Sequence, residues 1–145
     1  MRIALFVALI ASALGQVPDV QPLAGRWAAD HDGRPVVRLD LRMNAGTLGG
    51  SIQLADIHVD TRGEVETVMS ELSAASALID ITSRSGTLAF SRRDGNDIDH
   101  FEMRVIDDHA AELRWVPSDA DRRELVDSGV PSGIPKPIRL TKVMP

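Results

Sequence analysis

The chain has 145 residues, a net charge of −5, no cysteine and only 3% aromatic residues. That length fits one domain, large enough to stand on its core without disulfides. The acidic balance repels phosphate backbones and so few rings give no stacking platform, so nucleic acid is not an expected partner.

Residues 1–15 read as a secretory signal peptide. Met1-Arg2 is a short positive start, Ile3 to Ile10 is unbroken apolar sequence, and Ala13-Leu14-Gly15 sets small residues ahead of a cut before Gln16. The apolar run is too short to span a bilayer. No cysteine follows the cut to carry a lipid. The mature chain, residues 16–145, is therefore expected to be a single secreted or periplasmic domain without a membrane span.

Gln16 to Pro22 has no periodicity and reads as a leader into the fold. Gly25 to Ala28 opens the first strand, and Ala29 to Pro35, with its Asp-Gly and Pro, reads as a loop. Val37, Leu39, Leu41 and Met43 then alternate with Arg38, Asp40 and Arg42, the period of two of a half-buried strand. Asn44-Ala45-Gly46 turns the chain, and Leu48, Gly50, Ile52 and Leu54 face inward on the return. The Gly49-Gly50 pair implies a bend or a close backbone approach, and a bend suits the corner of a small barrel. Past Ala55 the apolar residues Ile57 and Val59 fall on odd positions, which places a bulge or break there.

Residues 64–76 fit two patterns. Val65, Val68, Met69 and Leu72 have helical spacing behind Thr61-Arg62-Gly63-Glu64 as a capping box. Gly63 at a turn position and the β-formers that follow favour a strand from Glu64 to Ser70. A meander then runs through Ile79-Ile81, Leu88-Phe90, Phe101-Met103-Val105 and Ala111-Leu113-Trp115, each on one face between turns. Ser118 is an N-cap, with Asp119 and Asp121 in the first turn of a short helix that runs through Leu125 and Val126 to Gly129 and plugs one barrel end. Val130 to Pro137 is a breaker-rich linker, and Ile138 to Val143 is the closing strand. The fold expected is all-β: an antiparallel up-and-down barrel of about eight strands with one short helix before the last.

Leu23-x-Gly25-x-Trp27 near the mature N-terminus, followed by this meander, resembles the calycin group of lipocalins, avidins and small lipocalin-like bacterial domains. The resemblance spans nearly all of the mature chain in pattern and rests on few identities. It implies that Trp27 closes one barrel end beneath a basic residue of the last strand. Arg139 is the matching position and Lys142 the reserve, so Gly25, Trp27 and Arg139 form the implied closure. Two departures are visible: no Tyr exists for the lipocalin Thr-Asp-Tyr motif, and the helix precedes the last strand in an unusual place. The resemblance also implies a small hydrophobic ligand inside the barrel. The inward residues Trp27, Leu39, Leu41, Ile52, Phe90, Phe101, Met103 and Trp115 would then contact it.

Read from the residues alone, the same inward rows equally describe a core filled by its own side chains. Inward polar groups to orient a ligand are not evident. The alternative to a binder is thus a filled barrel acting through its outer surface on a protein partner the sequence does not name.

Catalytic and metal signatures are weak. His58 with Asp60, and Asp97 with Asp99 beside His100, fall on outward faces as pairs, short of the convergent ligands zinc needs. Asp94-Gly95-Asn96-Asp97 reads as a hairpin turn and not as a calcium loop. Neither Gly-x-Ser-x-Gly nor His-Glu-x-x-His occurs, and Asp40 and Asp56 are poorly placed as a carboxylate pair. No catalytic residue, metal or cofactor is expected.

Overall fold

The computed structural model describes residues 23–127 and 134–144. The expected signal peptide, the leader to Pro22, and the helix end at Gly129 with the start of the linker lie outside the described residues. So do the side chains of Leu125 and Val126, assigned above to a plug.

Five strands come first: β1 (Gly25–His31), β2 (Arg34–Asn44), β3 (Thr47–Leu54), β4 (Ile57–Val59) and β5 (Val65–Val68). They are followed by β6 (Ser76–Ala77), β7 (Ile79–Arg84), β8 (Thr87–Asp94), β9 (Asp97–Val105) and β10 (Ala110–Val116). Helix α1 (Asp119–Asp127) then precedes β11 (Ile138–Val143). Nine strands form one antiparallel sheet in the order β6-β3-β2-β1-β11-β10-β9-β8-β7, and β4-β5 is a separate hairpin.

The sheet nearly closes on itself. Its edge strands β6 and β7 are joined by the single residue Leu78, whose N–H donates to the Gly50 carbonyl at 3.0 Å. Ser76 to Arg84 is thus one bent strand, laddered to β3 at its start and to β8 at its end. Asp80, at φ 52°, marks the irregularity where it changes partner. Counted this way the wall has eight staves, as the sequence predicts.

Turn chemistry sets the register. Asp32-Gly33, Ala45-Gly46 and Ser85-Gly86 all have positive φ at both residues, the mark of two-residue type I′ hairpins that match strand twist. Two sequence expectations change here. Ala29 to Pro35 is not a loop: β1 continues to His31 and β2 begins at Arg34, leaving Asp32-Gly33 as the whole turn. Gly50 answers to close approach, because a Cβ there would sit 1.8 Å from the Asp40 carbonyl oxygen of β2.

Residues 64–76 hold no helix: the strand expected from Glu64 to Ser70 is present as the shorter β5, Val65–Val68, and 69–75 connect it to β6 without regular structure. The Asp60 carboxylate accepts N–H bonds from Arg62 at 2.8 Å and Glu64 at 3.0 Å, holding a tight turn where a helix would need an extended cap. The apolar switch at Ala55 is the break between β3 and β4. Ahead of α1, Ser118 and Asp121 cap reciprocally: Asp121 N–H donates to Ser118 Oγ at 3.1 Å, and Ser118 N–H donates to the Asp121 carboxylate at 2.9 Å.

Inward rows meet in a continuous core. Leu39, Leu41, Ile52, Leu88, Phe90, Met103, Ala111, Leu113 and Leu140 are buried, and Phe90 stacks on Phe101 with centroids 5.6 Å apart. Deleting one such large side chain costs about 2–5 kcal/mol.

Candidate functional site

The barrel has two unlike ends. At the first, β1 and β11 pair Trp27 with Lys142 in register. Trp27 is fully buried, its indole Nε1 donates to the Leu23 carbonyl at 2.9 Å, and Lys142 Nζ lies 5.4 Å from the ring centroid. Gly25 makes room: with φ 134°, a Cβ there would meet the Lys142 Cε at 2.8 Å.

Lys142, not Arg139, is therefore the basic residue over the ring. The reason is parity. Ile138, Leu140 and Lys142 share the inner row of β11, and Arg139 falls on the outer row opposite Glu112 of β10, exposed.

At the other end, hairpin β4–β5 folds across the rim. Val68 is buried in the core, Arg34 Nη1 donates to the Val68 carbonyl, and His31 Nε2 lies 3.3 Å from the Glu66 carbonyl oxygen. Residues 134–137 strap this hairpin down: Lys136 N–H donates to the Gly63 carbonyl at 2.9 Å, and its Nζ donates to Glu64 at 3.0 Å.

Beneath the hairpin and strap lies a cavity of about 210 Å³. Val37, Leu54, Phe101, Leu113, Trp115 and Ile138 supply apolar wall, with Ile57 from the hairpin and Pro135 and Lys136 from the strap. Val36 and Ala55 add to the apolar lining, and Arg92 and Asp99 complete it. They are cross-strand partners one step beyond the stacked Phe90–Phe101 pair. Arg92 Nε donates to Asp99 Oδ2 at 3.1 Å, and its guanidinium stands 3.7 Å from Asp94. With side chains 12% and 25% exposed, Arg92 and Asp99 are largely withdrawn from water, where a paired charge is tolerated and a lone one is not.

The expected ligand contacts divide. Phe101 and Trp115 stand on the cavity wall. Trp27, Leu39, Leu41, Ile52, Phe90 and Met103 do not border it and pack against one another, each at most 1% exposed. Sequence reasoning missed Arg92 and Asp99. Asp99 was assigned to an outward face with Asp97, yet strand parity links it to Phe101 and Met103, as it links Arg92 to Leu88 and Phe90. That parity was the available signal.

Elsewhere the polar groups are occupied. Arg42 donates to Asp40 at 2.6 Å, holding that carboxyl below its usual range, while Asp56 is exposed in the β3–β4 break. On the outer face Ser91 Oγ lies 2.7 Å from His100 Nδ1, with the Ser91 side chain buried beneath. Among the described residues no three His, Asp or Glu side chains stand close enough to share a metal ion, and no helix is long and apolar enough to cross a membrane.

The fold and cavity together define a nearly closed antiparallel β-barrel with one filled end and one hollow end. No protein family, curated protein or solved structure matches this chain.

Proposed function

We propose that the protein is an exported, lipocalin-like barrel that binds one small, mainly apolar ligand at its hollow end. The observation that carries this is the cavity of about 210 Å³, apolar on most sides and furnished with the largely buried Arg92–Asp99 pair. Ligand sites have this composition, hydrophobic walls with a few placed polar groups. The volume is below the roughly 300–1,000 Å³ of drug-sized sites, so the ligand is small. Export rests on the reading of residues 1–15, and the lipocalin likeness on Gly25, Trp27 and a basic residue of β11 over the ring.

The filled half of the barrel favours a second reading, a packed barrel that acts through its surface in the cell envelope. Native mass spectrometry of the mature protein from its own host separates the two. A reproducible added mass that leaves on denaturation supports the binder. Bare protein at the mass of residues 16–145 would support the signal cut and shift the function to the outer surface.

A further inference from the structure

We propose that the hollow end selects an uncharged amphiphile whose head both donates and accepts hydrogen bonds, a primary carboxamide being the simplest, held by Arg92 and Asp99. This rests on the ligand-binding reading above and adds the chemical class of the ligand.

The pair decides the class. Of the five N–H donors of a guanidinium, Nε of Arg92 goes to Asp99. Asp99 Oδ1 accepts no hydrogen bond among the described residues, so a donor and an acceptor remain side by side on the wall. A carboxamide carries the complementary set and leaves the ion pair intact. A carboxylate could reach the remaining Arg92 donors, but Asp99 and Asp94, 3.1 and 3.7 Å from the guanidinium, already match its single positive charge, so the ligand would bring an uncompensated negative charge against a part-buried anion. An alkylammonium would face Arg92 itself. Lys136 at the mouth is already matched by Glu64 at 3.0 Å, so it adds little unpaired positive charge.

Size and wall fix the rest. About 210 Å³, below the roughly 300–1,000 Å³ of drug-sized sites, gives room for a polar head and a short hydrocarbon. The tail would lie against Phe101, Leu113 and Trp115.

The test is an NMR titration of the mature protein, following the Trp115 indole, with hexanamide, hexanoate, hexylammonium and toluene. Hexanamide is expected to bind about tenfold or more tightly than either charged analogue, the effect of one stranded polar partner. Hexanoate or hexylammonium binding as well as hexanamide overturns the proposal while leaving the binding site in place. Toluene binding with none of the three overturns it in the same way. If all four leave Trp115 unmoved, the ligand-binding reading falls with it. Asp99→Asn keeps the shape and removes the negative charge, and should move the preference about tenfold toward hexanoate. An unchanged preference in that variant would remove Arg92 and Asp99 from ligand recognition.

Discussion

The two ends of the barrel are edges of the same strands, finished in opposite ways. At the closed end one ring, Trp27, fills the interior, and the adjacent strand β11 lays Lys142 over it. The ring is held there by its register partners Leu39 and Lys142 on the two strands flanking β1 and by the indole hydrogen bond to Leu23. At the hollow end the inner rows stop being apolar: Phe90 and Phe101 are followed by Arg92 and Asp99. Two charged groups cannot interdigitate as aliphatic side chains do, because each must keep its hydrogen-bond partner. A hairpin and a strap cover them in place of a packed plug, and space remains below. The comparison teaches that the ion pair and the cavity belong to one structural decision, whereas the Trp27 closure is a matter of stability.

Trp27→Ala gives the largest expected effect. Removing a fully buried ring should cost about 3–5 kcal/mol in urea unfolding. Ligand affinity of the protein that remains folded should be unchanged, and a parallel loss of affinity would break the separation of the two ends. Tryptophan placed in each half sharpens it further. Met103→Trp forces extra volume into the filled half and should cost about 1–3 kcal/mol. Ile57→Trp points new volume at the cavity roof, so it should abolish binding with little change in unfolding midpoint. Retained binding by Ile57→Trp would sink the hollow-end site.

How much of this was legible in the sequence follows from the same contrast. Strict alternation over Val37 to Met43 and Phe101 to Val105 made the strands readable, and the closed end was legible only through the resemblance that Gly25-x-Trp27 carries, a motif whose parts lie two residues apart. The identity of the basic cover was open only because parity was not carried along β11, where Lys142 shares a row with Leu140. The hollow end was harder. Its wall collects residues from β2, β3, β8, β9, β10, β11, the hairpin and the strap, and no local period brings those together. Asp99 was read as a surface residue and Arg92 was passed over, because charge is the usual signal for an outward face. The hairpin was uncertain for a different reason: its turn is held by a side-chain carboxylate, Asp60, accepting two backbone N–H groups, a local arrangement that competes with a helix cap in sequence.

That carboxylate offers a smaller, pH-controlled way to loosen the hollow end alone. The N–H groups of Arg62 and Glu64 hold the Asp60 carboxyl below its usual range. A lowered folded value means the stabilisation is fully present above the unfolded value near pH 4 and is lost as pH falls through the folded one. Hydrogen-exchange protection of Val65 and Thr67 should therefore drop below about pH 4, ahead of protection in β9 and β10. Arg42 on Asp40 and Ser118 on Asp121 lower those carboxyls as well, so acid acts beyond the hairpin. Asp60→Asn isolates the local effect. Its amide oxygen still accepts from the turn but does not titrate, and the early step at Val65 should vanish. A step that persists in this variant would place the acid sensitivity elsewhere.

The smallest effect belongs to the closed end. Ala45 sits at φ 51° in the Ala45-Gly46 turn between β2 and β3, a left-handed conformation that strains a residue with a Cβ. Asn tolerates this conformation better, and Asn-Gly is the favoured type I′ pair. Ala45→Asn should stabilise the protein by about 0.5–1 kcal/mol in urea unfolding. Because this turn joins β2 and β3 at the Trp27 end, far along both strands from Val37 and Leu54, ligand affinity should not move with it. Stability would then rise at one end of the barrel while recognition at the other stays fixed. If affinity changed in step with stability, the two ends would be mechanically coupled through β2 and β3, and the Gly50 contact with Asp40 would be the first place to look for the link.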